Sequence, residues 1–384
     1  MRDFLAANVP SEWHDPGWRE PKDVRERVEL QRWWESKLAA AGFAGLHWPK
    51  EYGGRGASLM EQVIFQNEIA EFNAPPLMLN FVGVNLAGPT LMRHGTEEQK
   101  RAHLPRILSM EEIFCQGFSE PNAGSDLASL RTRAVLDGDR FVVNGQKVWT
   151  SFAHIADWCI LLCRTDAELP KHKGLSYLLV DMRSPGIEVR PLRNLIGDSE
   201  FNEVFFTDVE VPRENLVGEL NQGWTIALTT LAHERGTAFL ATQIRHRRQV
   251  LQLVEAAKAA PSATGGVAAD DPVIRQRLAQ AFIDTQVTHY MGLRSLTTVL
   301  RTGMPGPDGS MAKLFHSEAE RRFARLGVDI GGPQALLGED DPGVFEQGRH
   351  DERFMTTFAL TIAAGTTQIQ KNILAERVLG MPKG

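Results

Sequence analysis

The sequence predicts an α+β chain: an N-terminal all-α domain, a middle antiparallel β domain, barrel-like, and a C-terminal helical bundle. Three observations lead there. Helical apolar periodicity runs through residues 1–112. From 113 to 221 it gives way to short β-branched and aromatic runs separated by turn dipeptides. From 222 to 384 the helical rhythm returns.

In the first domain, "DVRERVELQRWWESKLAAAG" sets Val24, Val28, Trp34, Leu38 and Ala41 on one side and stops at Gly42, a left-handed cap. "SLMEQVIFQNEIAEF" opens with Ser58 and Glu61 at capping-box spacing, as do Thr96 and Gln99 in "TEEQKRAHLPRIL", where a proline at 105 is expected to turn the chain. In the second, Asp137-Gly138 and Asn144-Gly145 read as hairpin dipeptides. "DWCILLCRT", "LSYLLVDM", "GIEVRPL" and "FNEVFFTDVEVP" continue the strands to Pro212. In the third, long helices are expected near 222–258, 272–302, 309–327 and 352–379. "APSATGGVAADD", Ala260 to Asp271, reads as a mobile loop.

With 384 residues, 42% hydrophobic and 23% charged, the chain can bury a large core in two or three domains. A formal net charge of −6 argues against nucleic acid or an anionic membrane as partner. The short basic cluster "RHRR", Arg245 to Arg248, reads as a solvated helix face. Cys115, Cys159 and Cys163 fit no metal pattern and cannot all pair; Cys159 and Cys163 read as small apolar residues of a buried strand. The N-terminus carries no signal-peptide pattern, and no apolar run reaches membrane-spanning length. These readings predict a soluble, cytoplasmic protein.

The chain has no G-x-G-x-x-G after a strand, no Walker loop, no G-x-S-x-G elbow and no His/Cys/carboxylate cluster at zinc spacing, so no metal is expected. Three polar, turn-rich segments remain: "GFSEPNAGSD" (Gly117–Asp126), "KVWTS" (Lys147–Ser151, Thr150 included) and "AAGTTQIQKN" (Ala363–Asn372). Together they make sense as a flavin cradle. Trp149 can cover the ring face, Ser119 and Ser151 can meet its polar edge, and the Gly124-Ser125 turn can present N–H groups to a phosphate.

In this order, "WPKEYGG", "HGTEEQK", "FSEPNAGSDLASLRTRA", "NGQKVWTS", "ADW", "VPRENLVGELNQGW" and "GTTQIQKNILAERVLG" resemble the acyl-CoA dehydrogenase family from about Arg25 to Gly380. The resemblance implies a C-terminal four-helix bundle and an FAD bound between it and the β domain. Phe118 and Ser119 would then line the flavin, Trp149 stack on it and Ser151 reach towards N5. Ser125 would lie near the pyrophosphate and the thioester, and Thr366 and Gln368 would contact FAD. Gly331 and Gly332 would approach the nucleotide half from another chain. The family's Arg and Phe after the first bundle helix, and its glutamine before the paired glycines, are missing here. An acyl-CoA substrate, an electron-transfer flavoprotein as acceptor and a homodimer or homotetramer, with a heterotetramer as alternative, are implied as well.

Many members carry a catalytic glutamate where this chain has Ala364. A second group, resembling isovaleryl-CoA and long-chain acyl-CoA dehydrogenases, places it on the first bundle helix in an "-ER-" pair, which "LAHERG" matches at Glu234. Glu234 falls on an apolar stripe with Ala227, Leu231, Ala238 and Ala241. Burial there would raise its pKa above the free value of about 4.3. Glu234 is therefore the expected α-proton base, with a backbone N–H at Ala364 polarising the thioester carbonyl. Arg235 is either close to base and substrate or a packing ion-pair partner, and His233 structural or substrate-lining. The two competing functions are a same-fold flavin oxidase or monooxygenase and a non-catalytic subunit completing a partner's FAD site.

Overall fold

The computed structural model describes residues 1–15, 18–234, 241–262, 265–302, 306 and 308–382, with the side chains of His233 and Glu234 outside that set. Helix α1 spans Arg2–Asn8, α2 Val24–Ala40, α3 Leu59–Glu71, α4 Gly88–His94 and α5 Glu97–Leu108. Asp23 caps α2 through the N–H groups of Arg25 and Glu26, and Gly42 stands just past its end at φ +69°. Both expected capping boxes form. The Ser58 N–H donates to Glu61 at 2.7 Å and the Thr96 N–H to Gln99 at 3.1 Å. Pro105 does not turn the chain: α5 runs through it to Leu108. The lost bond is the one to the carbonyl of exposed Arg101, where water can replace it, while Ile107 is buried on the opposite side.

The chain forms two interleaved units. A sheet unit comprises Arg19–Gln62 and Pro75–Glu234; a bundle unit comprises Met1–Trp18, Val63–Ala74 and Arg235–Gly384. The sheet unit holds β1 Phe114–Gly117, β2 Arg133–Asp137, β3 Arg140–Lys147, β4 Trp158–Arg164, β5 Leu175–Asp181, β6 Ile187–Leu192 and β7 Phe201–Pro212. Their order is β1-β4-β2-β3-β7-β6, with β5 on β4. Most pairings are antiparallel; β1 lies parallel to β4, with Cys115 opposite Cys159. Strand β4 is buried on both faces. Ile160 and Leu162 pack with Trp48, Leu91, Ile107 and Ala227, while Cys159, Leu161 and Cys163 pack with Phe141, Leu178 and Val209. That two-sided burial is why "WCILLC" is continuously apolar rather than alternating.

Asp137-Gly138 turns the β2–β3 hairpin as expected, but Asn144-Gly145 does not make a turn. It is a bulge inside β3, where the register against β7 shifts between Val143 and Gly145. Thr132 crosses so closely that a Cβ on Gly145 would stand 2.4 Å from its Oγ1. Asn144 pairs instead with Asp208 across the strands at 2.9 Å. In the same unit the carboxylate of Glu35 on α2, fully buried, accepts the N–H groups of Met78, Leu79 and Asn80.

Helix α6, Gly223–Glu234, packs in the sheet unit through Ile226, Ala227 and Leu231. The bundle unit contains α7 Thr242–Ala259, α8 Pro272–Thr302, α9 Asp308–Gly331, α10 Arg349–Leu360 and α11 Thr367–Ile373. Its core includes Leu253, Ala257, Ala281, Phe323 and Leu326. The single helix expected over 352–379 is broken after Leu360, since Ala364 adopts φ +52° and Gly365 φ +87°. The Ala260–Asp271 connection is not a loose loop at its described ends: Ala260 and Ala268 sit in the core, joined by a 2.8 Å hydrogen bond from the Ala268 N–H. "RHRR" is not a solvated face either. Only Arg247 is exposed; His246 is fully buried, and Arg248 donates to Asn73 and to the Ala70 and Glu71 carbonyls at the end of α3.

Candidate active site

On the sheet unit, the segments Phe118–Ser125 and Lys147–Ser151 are brought together at the end of β3. The Val148 N–H donates to the Ser119 carbonyl at 2.9 Å. Beneath them Lys147 is fully buried, donating to the Phe118 carbonyl at 3.0 Å and to Glu120 at 2.9 Å. Glu120 also accepts the Arg131 and Thr132 N–H groups, at 2.7 and 2.8 Å. Burial raises the Glu120 pKa, but Lys147 and these donors outweigh it and hold the carboxyl below its ordinary value. Burial also pulls the Lys147 pKa down, and Glu120 opposes it. This pair fixes where the Ser119 backbone runs. Sequence reading missed it; the available signal is a lysine at an inward position of a strand pattern displaced by the bulge.

Trp149 is held at φ +62° with its indole 60% exposed, edge-on to Phe201 at 5.8 Å. An aromatic ring so displayed is not a core residue; it offers an apolar face to a planar ligand. Thr150 is fully buried between its neighbours and clamped by Asn202, whose backbone N–H and side-chain amide both donate to the Thr150 carbonyl, at 3.1 and 3.0 Å. The Thr150 hydroxyl has no hydrogen-bond partner among the described residues. Ser119 and Ser151 are half-exposed, while Gly124 and Ser125 are exposed beyond the Glu120–Ala123 turn. The Phe118 ring instead faces the core, edge-on to Tyr177 at 5.9 Å, so only its backbone borders the segment. An exposed indole flanked by two hydroxyls is a donor set that suits an isoalloxazine ring.

Helix α6 is anchored to the same unit one turn before Glu234. The Thr230 hydroxyl lies 2.8 Å from that of Thr90 and 3.2 Å from Tyr177 Oη, and is fully buried. Glu234 ends the helix; its side chain, like Arg235 and the side chain of His233, lies outside the described residues.

On the bundle unit, Lys313 donates to the Gly365 carbonyl at 2.7 Å, Thr367 to Glu318 at 2.8 Å, and Gln370 to the Ala364 carbonyl at 3.0 Å. These bonds hold Ala364 in its left-handed conformation, with its N–H lacking an acceptor among the described residues. Thr366 caps α11 through the Ile369 N–H, and Gln368 is exposed beside it. Gly331 and Gly332 do not join this group, being about 20 Å further along α9 than Glu318. A Cβ on Gly331 would stand 2.4 Å from the Phe345 ring, so packing within the chain already requires glycine there.

The order of helices, sheet and bundle, with this exposed indole, defines a class that the sequence comparisons establish. Residues 1–111, 115–209 and 221–379 match the N-terminal, middle and C-terminal domains of acyl-CoA dehydrogenase. The chain belongs to the acyl-CoA dehydrogenase family of flavoprotein oxidoreductases. It is 42% identical to acyl-CoA dehydrogenase IpdE1 of Mycobacterium tuberculosis over 390 residues, covering 100% of this chain and 96% of that one. Among solved structures it resembles the ChsE4-ChsE5 complex from Mycobacterium tuberculosis at 34% identity and TM-score 0.84, covering 100% of this chain and 98% of that one. The Tcur3481-Tcur3483 steroid ACAD is similar at 32% identity and TM-score 0.83, with 100% and 96% covered.

Proposed function

We propose that this enzyme is an FAD-dependent acyl-CoA dehydrogenase that forms a trans-2-enoyl-CoA, with Glu234 as the base that removes the α-proton. The observation that carries the reading is the loop between α10 and α11. Ala364 there is held with an N–H that has no acceptor among the described residues, and the segment Thr361–Gln370 contains no carboxylate. The loop can therefore polarise a thioester carbonyl but cannot take a proton. Glu234, on a helix pinned at Thr230, is the carboxylate that the "-ER-" pattern supplies in its stead.

FAD, when bound, supplies the hydride acceptor. Trp149 would cover its ring, Ser119 and Ser151 its edge, and Gly124 and Ser125 its phosphates, with Phe118 contributing backbone; Thr150, fully buried, would support that edge from behind and not touch it. Thr366 and Gln368 would add contacts from the bundle, and Gly331 and Gly332 from another chain. Arg235 and Ser125 would border the substrate. Electron-transfer flavoprotein is the proposed acceptor, and the three divisions 1–112, 113–221 and 222–384 the proposed domains. Because one similar structure is described as a steroid ACAD, the acyl group is proposed to be bulky and polycyclic.

A second reading is favoured by the nucleotide half. The connection Ala260–Asp271 contains no arginine, and the ChsE4-ChsE5 relative is a complex of two proteins. In that reading the chain shares an FAD site with a different subunit. The test is an anaerobic titration of the purified chain with a panel of acyl-CoAs, following the flavin band, beside Glu234→Gln. Bleaching in the wild type that slows by about 10²-fold or more in the variant is expected. Equal bleaching in both excludes Glu234 as the base, and a colourless wild type selects the partner-dependent reading.

A further inference from the structure

Inside the bundle unit, on the same helix α9 whose Lys313 and Glu318 hold the Gly365–Thr367 segment, three metal-ligating side chains converge. His246 comes from α7; His316 and Glu320 stand one turn apart on α9 and so share a face. His246 Nε2 lies 3.0 Å from Glu320 Oε1 and 3.0 Å from His316 Nδ1, and the three ligand atoms all fall within 4.8 Å of one another. His246 is fully buried and Glu320 nearly so.

Hydrogen bonding alone serves this geometry poorly. One nitrogen of His246 faces a carboxylate oxygen and an imidazole nitrogen at equal distance, yet can carry only one proton. If it donates to Glu320, a single N–H must be shared with His316; if it accepts from His316, it presents a lone pair to a carboxylate. A cation bound at the roughly 2.0–2.2 Å usual for nitrogen and oxygen ligands satisfies all three atoms together.

The surroundings are those of an oriented ligand set. Glu320 keeps its second oxygen for Arg353 of α10, at 3.3 Å, which leaves Oε1 to act as a single-atom ligand. The far nitrogen of His246 faces the Thr288 hydroxyl of α8 at 3.5 Å. All four long bundle helices therefore meet at this point.

We propose that His246, His316 and Glu320 bind one divalent transition-metal ion of the zinc type, which ties α7 to α9. Chelator-treated protein titrated with Zn²⁺ is expected to take up one ion per chain and to melt at higher temperature with it. Co²⁺ in its place should give the visible absorption of a nitrogen- and oxygen-ligated ion. His316→Ala and Glu320→Gln should each weaken uptake by at least about tenfold. The half-buried position of His316 and the similar shape of glutamine favour folding of both variants, and far-UV circular dichroism checks it. Failure of the wild type to bind Zn²⁺ at one per chain overturns the site in favour of a shared N–H, as does unchanged binding in both folded variants.

Discussion

Glu35 shows how a single buried carboxyl couples to pH. Burial pushes it up to about 7, against the three N–H donors of Met78, Leu79 and Asn80 that favour its charged form. Its folded value lies above the unfolded value of 4.5, so the stability it contributes is fully present below that pH. That contribution is lost as the pH rises through about 7. Glu35→Gln removes the titration. Wild-type Tm should therefore fall relative to the variant between about pH 5 and pH 8, whatever the variant's constant offset. Parallel Tm profiles for the two proteins across that range would contradict this. Lys147 and Glu120 behave differently, because each supplies the counter-charge that the other needs in the interior.

Among the elements, the end of α3 carries a sharper expectation. Its last carbonyls and Asn73 are taken by one guanidinium, that of Arg248 on α7, at 2.6 to 3.0 Å. Arg248→Ala should lower stability by about 2 kcal/mol, since hydrogen bonds from a charged donor are lost and carbonyls are left unpaired. Arg247→Ala, one residue away on the exposed side, should change it by less than about 0.5 kcal/mol. Urea midpoints of the two variants measure the contrast. Equal effects would show that charge, and not the capping of α3, is what the pair contributes. The same element explains why "RHRR" misled a reading by composition: burial depends on where α3 ends, which lies outside any local window around residue 246.

For the whole molecule, the helix–sheet–bundle order was legible because each part carries its own periodicity, and β4 announced itself by a continuous apolar run. The candidate site was legible to the extent that it depends on local turn chemistry: Trp149, Ser119 and Ser151, which are proposed to meet the flavin, stand in segments whose Gly, Ser and Pro content marks them. What stayed hidden depends on pairings distant in sequence. Lys147 reaches Glu120 across 27 positions, Asn202 reaches Thr150 across 52, and His246 reaches His316 across 70. The Asn144-Gly145 pair was misread because a bulge and a hairpin ask for the same residues, and only the crossing of Thr132 distinguishes them.

The three cysteines have a consequence for anyone following the unfolding of this enzyme. All are fully buried, all sit on β1 or β4, and burial pushes the Cys163 thiol up to about 12. Native protein should thus be silent to an alkylating reagent, because thiolate and access are both lacking. Since the bundle unit contains no cysteine, the rate of alkylation becomes a clock for the opening of the sheet unit alone. Set beside circular dichroism, which sees the helices of both units, that clock should reveal whether the two open together. Coincident rates would mean one cooperative molecule, and alkylation that lags the loss of helix would mean a sheet that outlives its bundle.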